Sequence, residues 1–368
     1  MKHSLLYLAV TVMLALPIAA CSDSNSSTVH PDGDVPVSVI DIDPATLIPR
    51  EGLLEVVIDT DLTNEIDDEF ALIQAILSPE RLNIRAIYAA PYAISEEIIR
   101  RGALTELGIR MLEESLMSVG LDLSVVPDVE PGPSMEQAFD MAERISELTG
   151  FTPDSGIHRG SDRFLSDAVT PVMSDAANNL VALAQEERST RLVVVANGAI
   201  TNVASALLID PSIAEDIVIV WTAAYPSFWP HPNNSFNLVQ DMDAARVVFE
   251  SGAPVVYIPG YFVGEKLRVS LPEMQEHIEG KGAIGDFLFE LYSGLDNKVG
   301  RSKVIWDMVT IGYLLDPTVF DEQVVEPMTL DDDRRWIPGT GLPVVEPIDF
   351  DRDLIFADFY IKIAAQAE

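Results

Sequence analysis

The sequence predicts an α/β fold: an open, mostly parallel sheet with helices covering both faces. Three observations lead there. Short β-branched runs alternate with helical tracts along most of the chain, the pattern that joins parallel strands through crossover helices. The runs are apolar throughout, not alternating with polar residues, as strands buried on both faces are. Finally, 48% of the residues are hydrophobic and 22% charged, enough to build a core despite a net charge of −36.

Taken in order, Leu54 to Ile58 reads as a strand ending at Asp59. From Asp67, the residues Phe70, Ile73, Ala75, Ile76 and Leu77 recur at helical spacing until Pro79 stops them. Ile84 to Ala89 is a second strand, and Ser95 to Ser118 a long helical tract. Residues Leu121 to Phe164 are poorly patterned, and their Pro, Gly and Met predict loops lying over the sheet. Alternation then returns: helix Asn178 to Glu187, strand Arg191 to Ala196, helix Asn202 to Leu208, strand Ile217 to Thr222. Helix Ala244 to Ser251, strand Pro254 to Ile258 and helix Ala283 to Tyr292 complete it. Ligands in such sheets bind beyond the carboxyl ends of the strands, which singles out Asp59, Asn197 and Thr222.

The ends are organised differently. Met1 to Ala20 carries a short basic start, an apolar run and small residues, so residues 1–20 read as an export signal too short to span a membrane. The only cysteine follows in Ile18-Ala19-Ala20-Cys21, which resembles a bacterial lipobox. That resemblance implies acylation at Cys21, export, and attachment to the cell envelope, at the outer membrane or facing the periplasm, by a lipid anchor alone. Residues 21–50, rich in Ser, Asn, Pro and Gly at their start, are expected to be a flexible tether, and residues 51–368 one folded domain. With 59 acids against 23 Lys and Arg and no basic cluster, nucleic acid is excluded as a partner.

The chemistry concentrates after the first strand. Asp59-Thr60-Asp61-Leu62-Thr63-Asn64-Glu65-Ile66-Asp67-Asp68 holds five acids in ten residues, where 59 in 368 would place one or two. Carboxylates delivered together to a ligand-binding edge repel one another until a cation or protons neutralise them. Dense oxygen ligands suit Ca²⁺. Asp67 and Asp68 also fall where a helix dipole favours negative charge.

Two families place Asp-x-Asp after a strand. The string Asp59-Thr60-Asp61-Leu62-Thr63 fits the first motif of haloacid-dehalogenase-like phosphatases, with Asp59 as nucleophile, but no acidic pair follows a strand behind Lys266 or Lys303. The chain more closely resembles the inosine/uridine-type nucleoside hydrolases, in a divergent bacterial branch with a longer Asn64-Glu65-Ile66-Asp67-Asp68 link. Three further blocks keep the family's order: Asn197-Gly198-Ala199-Ile200-Thr201-Asn202, Ser235-Phe236-Asn237 with Asp241, and Trp306-Asp307 opening an apolar helix.

The resemblance implies a nucleoside hydrolase fold and one Ca²⁺ held by Asp61, Asp68, Asp307 and the carbonyl of Asn197. It further implies Asp61 as the base acting on water, Asp67 and Asn237 on sugar hydroxyls, and Asp59 in support of the loop. Trp306 stands where some members have a His and would stack on the base; Ser235 replaces a Glu, and Ala89-Ala90-Pro91-Tyr92 replaces an Asn-bearing string. The aromatic loop Tyr225 to Asn234 would lid the pocket or pack on another subunit, with His231 a conceivable acid. His158 in the His158-to-Asp162 turn reads as structural, and Phe350 to Phe356 resembles the closing helix. The expected partner is a small-molecule nucleoside, the expected state a homo-dimer or homo-tetramer, the expected role nucleoside salvage. The competing reading keeps the fold, metal and ribose but not the chemistry: a non-catalytic binding protein.

Overall fold

The computed structural model describes residues 43–102, 117, 128–295 and 302–367. The export signal, Cys21, most of the tether and nearly all of the tract from 103 to 118 lie outside the described residues.

Eight strands form the central sheet. They are β1 (Leu54–Thr60), β2 (Leu82–Ala89), β3 (Ile157–Arg159), β4 (Leu192–Ala196), β5 (Ile217–Ala223), β6 (Val255–Pro259), β9 (Phe320–Val325) and β12 (Val344–Phe350), in the order β3-β2-β1-β4-β5-β6-β12-β9. All neighbours pair in parallel except β12 and β9. Two short antiparallel strand pairs lie outside it, β7 (Arg268–Ser270) with β8 (Ser302–Val304) and β10 (Met328–Leu330) with β11 (Trp336–Pro338).

The helices are α1 (Asp67–Ile76), α2 (Glu96–Gly102), α3 (Pro131–Thr149), α4 (Asp175–Ala184), α5 (Thr201–Ile209), α6 (Phe236–Gln240), α7 (Met242–Glu250), α8 (Leu271–His277), α9 (Gly282–Gly294), α10 (Met308–Leu315) and α11 (Arg352–Ala364). Alternate strand residues supply two cores. Val56, Ile58, Val193, Val195, Val218 and Val220 pack on one face with Phe70, Ile311 and Phe359. Val57, Val194, Ile219 and Trp221 pack on the other with Leu180, Val203 and Val248. The apolar runs are thus explained by burial on both sides.

The segment 121–164 departs from the expected loops. It contains α3, 19 residues long, and the edge strand β3. Pro131 and Pro133 open the helix, where a missing N–H costs nothing, and Gly150 ends it in the left-handed region (φ 66°). Only Ser134 and a narrow apolar stripe (Met135, Ala138, Phe139, Ala142, Ile145) are buried. The closing helix also begins later than expected, at Arg352, because Val344 to Phe350 is a sheet strand. Leu47 and Ile48, at the end of the segment read as a tether, are buried in the core, and the Arg81 guanidinium binds the carbonyls of Pro49 and Gly52 beside them. No helix among the described residues is long and apolar enough to cross a membrane.

The strand order reverses between β1 and β4, so the crossovers from these two strands leave toward opposite sides and open a crevice at their carboxyl ends. The acidic loop sits there.

Candidate active site

Strand alternation decides which acid enters the crevice. Asp59 continues the face of Val57 and meets α5, where Asn202 Nδ2 donates to its Oδ1 (2.8 Å). Thr60 continues the opposite face and its hydroxyl donates to Asp68 at the start of α1. Asp61 lies beyond the strand and lines a pocket of about 760 Å³ of empty space, its open mouth included. Asp59 is fully buried and does not line that pocket. A nucleophile must touch substrate, so the phosphatase reading built on Asp59 is corrected; the residue props the loop.

The pocket floor gathers the other acids. Asp67, Asp68 and Asp307 bring carboxylate oxygens within 4.8 Å of one another. The first two open α1 and Asp307 is the residue before α10. Asp61 joins through a hydrogen bond with Asp68 and receives the Asn64 amide (3.1 Å). Asn197, after β4, turns its carbonyl to Asn237 Nδ2, which also donates to Thr222 O (3.1 Å); its side-chain oxygen accepts from Thr310 (2.9 Å). Gly198 is needed beside them: a Cβ there would stand 2.8 Å from Asp61 Cγ. The seven residues expected as metal, water or substrate contacts, Asp61, Asp67, Asp68, Asn197, Asn237, Trp306 and Asp307, all line this one pocket.

Burial first, and repulsion among the acids second, push the Asp61 and Asp307 carboxyls well above the usual range. Burial pushes Asp67 up to about 8, although the Lys303 ammonium opposes it. Burial also raises Asp68 to about 6, restrained by hydrogen bonds from Thr60, Asp61 and Asp307. Outside the pocket, Asp59 rises to about 7 and Glu69 to about 8, again chiefly through burial. Lys303 on β8 pairs with Glu65, a strap on the loop with no local signature, since the two residues are 238 apart.

The donor set fits a hard divalent cation. It is all oxygen, Asp67 Oδ1 has no hydrogen-bond partner among the described residues, and carboxylate oxygens of Asp67, Asp68 and Asp307 lie close enough together to share one ion. A cation would ionise acids that otherwise hold protons.

The opposite wall is aromatic. Trp306 packs edge-on against Tyr261 (5.5 Å), Tyr261 stacks on Tyr225 (4.3 Å), and Tyr225 on Trp229 (4.6 Å). Trp306 lines the pocket and is part of its wall, not of the core. His231 rests on Trp229 and is not a lining residue, and His158 is held at Ser155 O (2.6 Å) on β3. Asp332 and Asp333 are exposed in the turn between β10 and β11. Ser235 caps α6, its hydroxyl accepting from Ala224 N. Three of the four described non-glycine residues with positive φ, Thr63 (75°), Ala224 (48°) and Phe262 (71°), sit in the loops around this pocket, where strained backbone tends to collect.

The sequence matches the profile of the family described as inosine-uridine preferring nucleoside hydrolase over residues 56–352. The chain belongs to that family. Membership makes this nucleoside hydrolase an enzyme acting on N-glycosyl compounds. Relatives include the pyrimidine-specific ribonucleoside hydrolases RihA of Salmonella paratyphi B (26% identical over 73% of this chain and 81% of that protein) and of Salmonella paratyphi A (27%, over 73% and 81%). Among solved structures, a purine-preferring ribonucleoside hydrolase from Gardnerella vaginalis shares the fold of this nucleoside hydrolase with a TM-score of 0.60 at 19% identity, covering 85% of this chain and 99% of that one. An inosine-guanosine nucleoside hydrolase does so with a TM-score of 0.61 at 17% identity, covering 84% and 98%.

Proposed function

We propose that the protein hydrolyses the N-glycosidic bond of ribonucleosides to free base and ribose in a Ca²⁺-dependent reaction, as a lipid-anchored enzyme of the cell envelope. The observation that carries the reading is the convergence of four buried carboxyls, Asp61, Asp67, Asp68 and Asp307, on the floor of a pocket walled by Trp306 and Tyr261. Relatives named for pyrimidine and for purine nucleosides both match the chain, which suits a pocket that reads the sugar more closely than the base.

Asp61, Asp68, Asp307 and the Asn197 carbonyl would hold Ca²⁺. Once bound, the cation supplies the positive charge that makes water easier to deprotonate near neutral pH and that attracts sugar hydroxyls. Asp61 takes the proton of the attacking water as its oxygen bonds to the anomeric carbon. The bond from that carbon to the base nitrogen breaks, and its electron pair leaves with the base. Positive charge that develops on the sugar is met by the surrounding carboxylates. Asp67 and Asn237 orient the sugar hydroxyls. Trp306 offers a flat face to the base but no proton donor suited to it.

Asp68→Ala tests this. The variant should lose both bound Ca²⁺ and release of free base; turnover at the wild-type rate sinks the proposal. The binding-protein reading draws on Ser235, whose hydroxyl is engaged by backbone, and it predicts nucleoside binding with no ribose released.

A further inference from the structure

The four pocket acids arrive on two separate pieces of chain. Asp61, Asp67 and Asp68 belong to the link after β1 and the opening of α1, and Asp307 to the turn between β8 and α10. Much of the link is fastened on its own side of the crevice. Asn64 N–H returns to Asp61 O (3.1 Å), and the Asn64 amide donates to the Asp61 carboxylate (3.1 Å). Thr63 N–H donates to Glu69 on α1 (3.1 Å), and the Thr63 hydroxyl meets the Tyr92 hydroxyl (3.3 Å) beyond β2. Glu65 reaches across instead, to the Lys303 ammonium on β8. That strand is held in turn: Lys303 pairs with Val269 on β7, and Ile305 N–H donates to Leu267 O (2.8 Å), just before the chain delivers Trp306 and Asp307 to the pocket. Glu65 lines the pocket, whereas among the described lining residues there is no Lys or Arg. Both side chains of the pair are mostly buried (Lys303 18% and Glu65 11% exposed), so salt screens it little. Burial opposes the charge on Lys303, yet Glu65, Asp67 and Asp307 hold its ammonium above the usual lysine range.

We propose that Glu65 and Lys303 form a latch that positions the two acid-bearing segments against each other, so that metal and sugar meet a site already assembled; this rests on the nucleoside hydrolase reading above. Lys303 is a positioning residue. It lies outside the pocket lining and acts through Glu65 on the link that carries Asp61 and Asp67. A desolvated ion pair adds little net stability, since lost hydration offsets the attraction, so its effect here is on geometry. A latch and a mere background charge predict different things. Removing the charge of Glu65 leaves the pocket less negative and by charge alone weakens a bound cation; removing that of Lys303 tightens it. Opening a latch weakens the site whichever partner is removed. It does so also when both are removed, although the net charge is then unchanged.

The test is a double-variant cycle on the full chain: wild type, Glu65→Gln, Lys303→Met, the two combined, and Lys303→Arg, with Ca²⁺ affinity read by calorimetry and kcat/KM read on uridine. Both single variants and the double should lose about 10- to 100-fold in Ca²⁺ affinity and in kcat/KM. The double should be no worse than either single, because one latch opens only once. Lys303→Arg, which keeps a cation beside Glu65, should restore most of both. The melting temperature of the double in EDTA should stay close to that of wild type, since both buried charges leave together. Ca²⁺ affinities that move in opposite directions in the two single variants, or a double variant with wild-type affinity and turnover, would overturn the latch. If Lys303→Met does not fold, the double decides alone, because it strands no buried charge. If wild type binds Ca²⁺ but releases no ribose, the hydrolase reading fails and the Ca²⁺ comparison still decides the latch. A wild type that binds no Ca²⁺ overturns the latch as well.

Discussion

Asp59 and Asp61 stand two residues apart and differ in everything that matters chemically. Asp59 is tied to Asn202 behind the sheet edge, while Asp61 lines the pocket. Asp61→Asn keeps the shape but not the base, so kcat should fall by about 10²- to 10⁴-fold while nucleoside binding persists, as steady-state kinetics and calorimetry would show; an unchanged kcat removes Asp61 from the reaction. The pocket acids were legible because they cluster in sequence and abut a strand. Asp307 and Asn237 were legible only through resemblance, being isolated in composition. Asn64, Asn234, Tyr261 and the Glu65–Lys303 pair were not, because nothing local distinguishes an asparagine or tyrosine that lines a pocket from one that does not.

At the scale of elements, the turn after β4 matters most. Gly198 lets that turn press against Asp61, leaving no room for a methyl group. Gly198→Ala should displace Asp61, reduce kcat/KM by about a hundredfold and weaken Ca²⁺ binding, with circular dichroism unchanged; full activity would show that the contact yields freely. Strands β1, β2, β4, β5 and β6 were readable because burial on both faces makes them apolar runs; the short edge strand β3 was not, being only half-buried. Helix α3 was not, since its buried stripe is narrow and its opening prolines resemble loop residues until their helix-start position is recognised. Strands β9 and β12 at the antiparallel edge were missed as well. They carry polar residues such as Asp321, Glu322, Gln323 and Glu346, and the last of these is buried, holding Ser227 of the aromatic loop through its N–H and hydroxyl (2.6 Å each).

Over the whole molecule, the charge of −36 separates into dispersed surface acids, which keep a chain soluble, and a few buried ones that set its response to pH and metal. Asp59, Asp67, Asp68 and Glu69 have carboxyls raised to between about 6 and about 8. The metal-free native state therefore binds more protons than the unfolded chain across roughly pH 4 to 8, and its stability falls as pH rises through that window. In EDTA the melting temperature should drop by several degrees between pH 5 and pH 8. Saturating Ca²⁺ should raise it, and more at pH 8 than at pH 5, where protons compete for the ligands. A melting temperature indifferent to both would mean that these acids do not act as a group.

The most direct measurement of the central claim is ribose and free-base release from a mixed panel of purine and pyrimidine ribonucleosides, with the protein stripped by EDTA and then reloaded with Ca²⁺. Release that is lost on stripping and restored by Ca²⁺ is the predicted result. Bound but intact nucleosides under both conditions would contradict it.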